Sequence, residues 1–263
     1  MKVLGFTLLV FMMALTVASV TVTRLHDNNV DPVNLSTSEV LGEPSTRVSF
    51  EKHKISFNGE SYEVALINGV NPDETGLFSN LEEPESAINI IEENNCSALV
   101  NAGFYTTNNQ PIGQFVSNYK TIKNTTQSEL FNGYFSINDF GTPRITQNVP
   151  SDNLRLSVQS GPLLIVNDEF QKLSIRNDKN ARRIVVAVTG ENDIVFIAIY
   201  DAFSKLLGPK LADLPVVLTE IENTSLYDFA DALNLDGGSA SAFYIDNFKL
   251  PESSPIGSYF CIN

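Results

Sequence analysis

The sequence predicts a strand-rich α+β domain: a mixed or antiparallel sheet with a few packing helices. Three observations point there. Apolar stretches of strand length, each bounded by Asn, Asp, Gly or Pro, outnumber helical ones. Few connections between them carry helical periodicity, which argues against a doubly wound sheet. The composition, 43% hydrophobic and 18% charged over 263 residues, suffices to bury a sizeable core. No internal repeat or low-complexity tract is evident.

In chain order, Met1-Lys2 is followed by a nearly unbroken apolar run from Val3 to Val22, ending before Arg24. Such a run is an export signal. The small residues Val17-Ala18-Ser19 suit cleavage, yet the length also suits a retained single anchor. Leu25 to Thr46 is rich in Asp, Asn, Ser, Thr and Pro, the composition of a linker. The expected organisation is therefore a signal peptide or N-terminal anchor over 1–23, a flexible linker over 24–46 and one folded domain over 47–263. The expected location is periplasmic, secreted or membrane-anchored, facing outside the cytoplasm.

Val48 to Ile67 alternates apolar and polar residues around Asn58-Gly59, a strong hairpin signal. Glu85 to Asn94 places Ala87, Ile90 and Ile91 at helical spacing behind Pro84. Strands are predicted at 97–101, 112–116, 134–137, 156–158, 163–166, 184–188 and 194–200. Pro209 to Glu222 reads as a helix that Pro215 should break or kink. Ser225 to Ala232 reads as a short helical piece, before strands near 243–245 and 256–261.

The formal charge is −14, with no Lys/Arg cluster, so a nucleic-acid partner is not expected. The bland reading of the acidity is a solvated surface. His26 and His53 are the two histidines, and neither lies in a zincin motif or opposite a nucleophile elbow. No glycine-rich phosphate loop occurs in a strand-turn-helix setting, which removes ordinary nucleotide binding. Cys96 and Cys261 have no metal-ligand spacing; they either pair or remain two buried thiols. No metal or cofactor is expected. The sequons at Asn95, Asn124 and Asn223 bear on a host that glycosylates exported chains.

Four segments could carry chemistry. Asn101-Ala-Gly103-Phe-Tyr105 sets a polar amide at a strand end, beside a glycine that would let a ligand approach the backbone. Gln159-Ser160-Gly161-Pro162 sets a hydroxyl at the entrance of the strand 163–166. Either, alone, reads as an ordinary turn. Arg182-Arg183 fixes cations at the start of an apolar strand, where an unpaired buried charge would cost on the order of several kcal/mol. Leu235-Asp236-Gly237-Gly238-Ser239 is the most specific: a carboxylate, then backbone N–H groups that could cradle an anion.

Taken together, NAGFY, PIG with the turn 117–120, SGPLLIVND, an Arg-initiated VVAV strand and ALNLDGGSAS resemble, in order and approximate spacing, the phosphodiester glycosidase domain family. The resemblance covers roughly Arg47 to the C-terminus. Ala102, Ile184 and Ala187 depart from the family's usual small or polar residues, which bears on pocket shape more than on fold. The resemblance implies hydrolysis of the glycosidic C–O bond of sugar 1-phosphodiesters, on envelope or exopolysaccharide material. The leaving group is then a phosphate monoester, a weak base that needs no strong general acid. It implies Asp236 as the carboxylate that activates water or stabilises the anomeric centre, with Arg183 and Ser160 on the phosphate. Gly103, Gly161, Gly237, Gly238 and Ser239 would line the substrate, and Asn101 would bind sugar hydroxyls or orient Asp236. The alternative is a carbohydrate- or phosphate-binding envelope protein of the same fold without turnover.

Overall fold

The computed structural model describes residues 48–263 apart from 226. The signal or anchor over 1–23 and the linker over 24–46 lie outside the described residues. Among the described residues no helix is long and apolar enough to cross a membrane.

Strands are numbered β1 to β17 and helices α1 and α2 in chain order. A seven-stranded sheet runs β1 (Ser49–Phe57), β2 (Glu60–Val70), β13 (Ile194–Asp201), β12 (Arg183–Thr189), β14 (Phe229–Asn234), β10 (Leu163–Val166) and β11 (Glu169–Phe170). A five-stranded sheet runs β16 (Phe248–Leu250), β15 (Phe243–Ile245), β4 (Ala98–Asn101), β17 (Ser258–Ile262) and β3 (Thr75–Ser79). The third sheet, also five-stranded, runs β6 (Lys120–Lys123), β5 (Phe115–Ser117), β9 (Leu154–Ser160), β7 (Gly133–Asn138) and β8 (Pro143–Thr146). Every strand pairing among the described residues is antiparallel. The α+β, strand-rich class holds.

One face of the large sheet packs on both smaller sheets through a shared core containing Ile184, Val186, Phe196, Phe135, Val100 and Phe260. Its other face, through Val185, Ala187 and Ile197, is covered by α2 (Leu214–Thr224), which contributes Leu214, Val217, Leu218 and Ile221. Strands β12 and β13 are thus buried on both sides, which is why they read as continuous apolar runs rather than alternating ones. The outer face of the β4 sheet, with Leu99, Tyr244 and Tyr259, packs on α1 (Ala87–Asn94).

Local signals behave as their chemistry requires. Asn58 and Gly59 both take positive φ, as a tight hairpin between right-twisted strands demands. Helix α1 starts at an N-cap Ser86 whose hydroxyl accepts from Asn89 N–H, and ends on Asn95 in the left-handed conformation. Two expectations are corrected. Pro215 does not break a helix: it sits in the first turn of α2, where its missing N–H has no cost, and the preceding 211–213 form a separate 3₁₀ turn. The predicted helical piece over 225–232 instead yields β14, because Phe229, Ala232 and Leu233 fill a slot between β12 and β10 that only an extended chain fits.

Cys96 and Cys261, 165 positions apart in sequence, form a disulfide with their Cα atoms 5.3 Å apart. It ties the end of α1 to the last strand. Replacing both cysteines with serine is expected to lower the unfolding free energy by about 2–5 kcal/mol in denaturant melts. An unchanged midpoint would show that the bridge contributes nothing to the fold.

Candidate functional site

The segment Asp236–Ala242 carries the chain from β14 in the large sheet to β15 in the β4 sheet. It has left both ladders, so its backbone groups need other partners. Asn101, buried at the end of β4, supplies two: its Nδ2 donates to Asp236 O at 2.7 Å and its Oδ1 accepts from Ala242 N at 2.8 Å. Asp236 N–H donates to Ala102 O at 3.0 Å. Asn101 therefore spends its amide on bracing the backbone of the turn that carries Asp236.

Arg182 closes the other side. Its carbonyl accepts from Gly238 N–H at 2.8 Å. Its buried guanidinium donates to Ser241 Oγ at 2.7 Å, to Pro251 O at 2.8 Å, to Lys205 O at 3.2 Å and to the Ser241 carbonyl. Ser241 in turn donates to Gly238 O at 2.6 Å. A Cβ on Gly237 would lie 2.8 Å from Arg182 O, and Gly238 has φ +64°, so both glycines are required by this clamp. The N–H of Gly238 is consumed by it rather than left for an anion. Ser239 remains exposed at the rim, its carbonyl accepting from Ser253 N–H and Ser254 N–H.

Asp236 is half-buried and forms no ion pair among the described residues. Burial pushes its pKa up to about 7, against the opposing pull of the Gly237 N–H. Burial, and after it the Asp236 charge, raises the pKa of Tyr105. Tyr105 donates its hydroxyl to Pro255 O at 2.6 Å.

The structure does not bring the remaining expected residues to Asp236. Arg183 shares its face of β12 with Val185 and Ala187, toward α2, because side chains alternate along a strand. Its guanidinium donates to Pro209 O at 3.0 Å, to Lys179 O and to Asp178 at 3.4 Å. Asp178 also accepts from Leu211 N–H and Ala212 N–H, so Arg183 braces the start of the helical layer. Ser160 is buried and donates its hydroxyl to Asn234 O at 2.7 Å. Gly161, with φ +155°, packs where a Cβ would meet Leu130 O at 2.1 Å, and its carbonyl accepts from Asn234 Nδ2 at 2.8 Å. Gly103 is packed against Val158 and bonded to Ser258 Oγ, not open to a ligand. Ser160, Gly161 and Gly103 thus sit in the scaffold beneath the turn.

Sequence reasoning chose Arg183 over Arg182 for the site and gave no site role to Asn234, Ser241 or Tyr105. All four stand inside the motifs already noted, and for Arg182 the signal was parity: an even-numbered residue of this strand faces the shared core with Ile184 and Val186. Among the described residues no group of three or more His, Cys, Asp or Glu is gathered to hold a metal ion.

A family model described as phosphodiester glycosidase matches residues 94–261, well over half of the chain. Among solved structures, the fold is similar to the zebrafish N-acetylglucosamine-1-phosphodiester alpha-N-acetylglucosaminidase catalytic domain auto-inhibited by its pro-peptide. The TM-score is 0.65 at 13% identity, covering 82% of this chain and 83% of that one. A hypothetical protein from Synechocystis gives a TM-score of 0.62 at 14% identity, covering 82% and 62% of the two chains. A putative exported protein from Burkholderia pseudomallei gives 0.54 at 11%, covering 78% and 74%. No curated protein sequence matches.

The raised pKa of Asp236 has a stability consequence. The folded state holds this proton up to about pH 7, whereas the unfolded carboxyl, near 3.8, has released it. The contribution is present in full below pH 4 and is lost as pH rises through 7. Asp236→Asn, which never ionises, is therefore expected to gain on the order of 1–3 kcal/mol over the parent at pH 8 and little at pH 4. Thermal melts at both values check this; equal shifts at the two would refute the buried, proton-holding carboxyl.

Proposed function

Because the chain belongs to the phosphodiester glycosidase family, we propose that it hydrolyses the glycosidic C–O bond of sugar 1-phosphodiesters outside the cytoplasm, with Asp236 as the reacting carboxyl. The observation that carries this reading is a withdrawn carboxyl without a counter-cation. It is held near neutral pKa on a turn braced from both sides, inside the region the family model matches. The substrate class follows the name of the zebrafish domain. The disulfide suits an oxidising compartment, in keeping with the apolar run over 3–22.

In this mechanism the ionised Asp236 takes a proton from water as the water attacks the anomeric carbon. The C–O bond breaks, its electron pair leaving on the phosphate oxygen. A phosphate monoester is a weak base, so the departure needs electrostatic help more than a proton. Ser239 and the edge of Tyr105 are the polar groups at the rim suited to meet the diester. Asn101 and Arg182 position the turn, while Ser160, Gly161 and Gly103 hold the layer beneath it. Arg183, on the other face of β12, braces the helical layer rather than the phosphate.

A second reading, ligand binding without turnover, is favoured by the commitment of Arg183 and Ser160 to internal partners. The two are separated by assaying phosphomonoester and free sugar released from a panel of sugar 1-phosphodiesters, with Asp236→Asn as blank. The glycosidase reading expects turnover that falls at least about a hundredfold in the variant. It also expects kcat/KM to climb through pH 7 as the base ionises. Saturable binding with no product across the panel would select the second reading.

A further inference from the structure

The loop between β13 and α2 displays three large apolar side chains to solvent: Phe203 is 96% exposed, Leu206 50% and Leu207 49%. Single exposed apolar residues are ordinary, but three within five positions are not. The display is built rather than loose. Asp201 Oδ1 accepts from both Phe203 N–H and Ser204 N–H at 2.8 Å, and Leu207 N–H donates to Ser204 O at 3.1 Å. Arg182 binds the loop twice, through Lys205 O and through its own N–H to Leu206 O at 3.0 Å. Gly208 closes the loop against Ala181 O, where a Cβ would come within 2.5 Å.

The same Arg182 holds Gly238 and Ser241 of the Asp236 turn, so loop and turn are fastened to one residue. Charge supports a lipid occupant over a protein one. In a chain of net charge −14, the stretch 202–210 carries two exposed lysines, Lys205 and Lys210, and no acid. An apolar tip flanked by ammonium groups on an otherwise acidic protein is complementary to an anionic lipid surface, where apolar residues insert and lysines meet headgroup phosphates.

We propose that Phe203, Leu206 and Leu207 insert into an anionic lipid surface and bring the Asp236 site onto sugar phosphodiesters borne by lipid. The choice of substrate rests on the glycosidase reading; the insertion does not. The two native cysteines are joined in the disulfide, so one introduced thiol can be labelled alone. The full chain carrying Phe203→Cys with an environment-sensitive nitrobenzoxadiazole label is mixed with vesicles of phosphatidylglycerol and phosphatidylcholine. Phe140→Cys, 86% exposed in the β7–β8 turn, is the control. The label at 203 is expected to shift to the blue and to be quenched by lipids spin-labelled in their acyl chains, while that at 140 keeps its aqueous emission. The shift should persist when Asp236→Asn is added, so it survives even where turnover fails. A label at 203 that stays water-like, or two labels that shift alike, would overturn the proposal. For substrate, Phe203→Ser should lower kcat/KM on a vesicle-borne diester about tenfold and leave a soluble diester unchanged; equal values on both would overturn the lipid-borne assignment.

Discussion

The structure around the candidate site depends on one constraint: the chain must leave β14 of one sheet and enter β15 of another without stranding its backbone polar groups in the interior. A buried, unpaired N–H or C=O costs about 1–3 kcal/mol, and the turn has several in succession. Asn101 and Arg182 answer that need from opposite sides, one with an amide that both donates and accepts, the other with a guanidinium that donates to two carbonyls and a hydroxyl in the neighbouring segment. What looks from sequence like a set of substrate ligands is in large part this solution. The glycines follow from it, since the approach of Arg182 O leaves no room for a Cβ at Gly237.

The same bracing accounts for the state of Asp236. Its backbone is fixed at N–H and C=O, and the group that opposes the effect of burial on the carboxyl is the Gly237 N–H rather than a cation. A free, solvated aspartate would ionise well below neutrality; this one keeps its proton into the neutral range because partial burial disfavours the charged form and the Gly237 N–H only partly opposes that. A site that a protein stabilises less well than it could is the expected place for chemistry, since local consistency is given up where function asks for it.

How much of this was legible in the sequence varies with the physics. Strands β10, β12 and β13 were readable because burial on both faces leaves an unbroken apolar signature, and the first hairpin because Asn-Gly has a specific conformational preference. Strand β14 was not: Ala-Asp-Ala-Leu has no β-branched residue and resembles helix locally, and only the slot between β12 and β10 makes it extended. The short edge strands β3, β6, β8, β11 and β16 carry too few residues to show a period. The ordered motifs located the turn and Asp236. They could not say whether a polar group faces solvent or backbone, and so Ser160 and Arg183 read as ligands when their partners are internal. In a period of two, adjacent arginines go to opposite faces, and the choice between Arg182 and Arg183 turns on a register that only the paired strand fixes.

Arg182 shows how far that one register reaches. A guanidinium buried without an ion pair would be expensive, and burial does lower its pKa, yet Glu252 offsets this from nearby. Glu252 is itself anchored by Ala87 N–H at the start of α1 and by the Tyr244 hydroxyl. The cation therefore joins the loop after β13, the Asp236 turn, the segment after β16 and the first turn of α1. The exposed Phe203 loop is thus bonded to the same residue that holds Gly238 and Ser241 of the turn. The tip of the loop and the turn that carries the carboxyl therefore share a single anchor, Arg182.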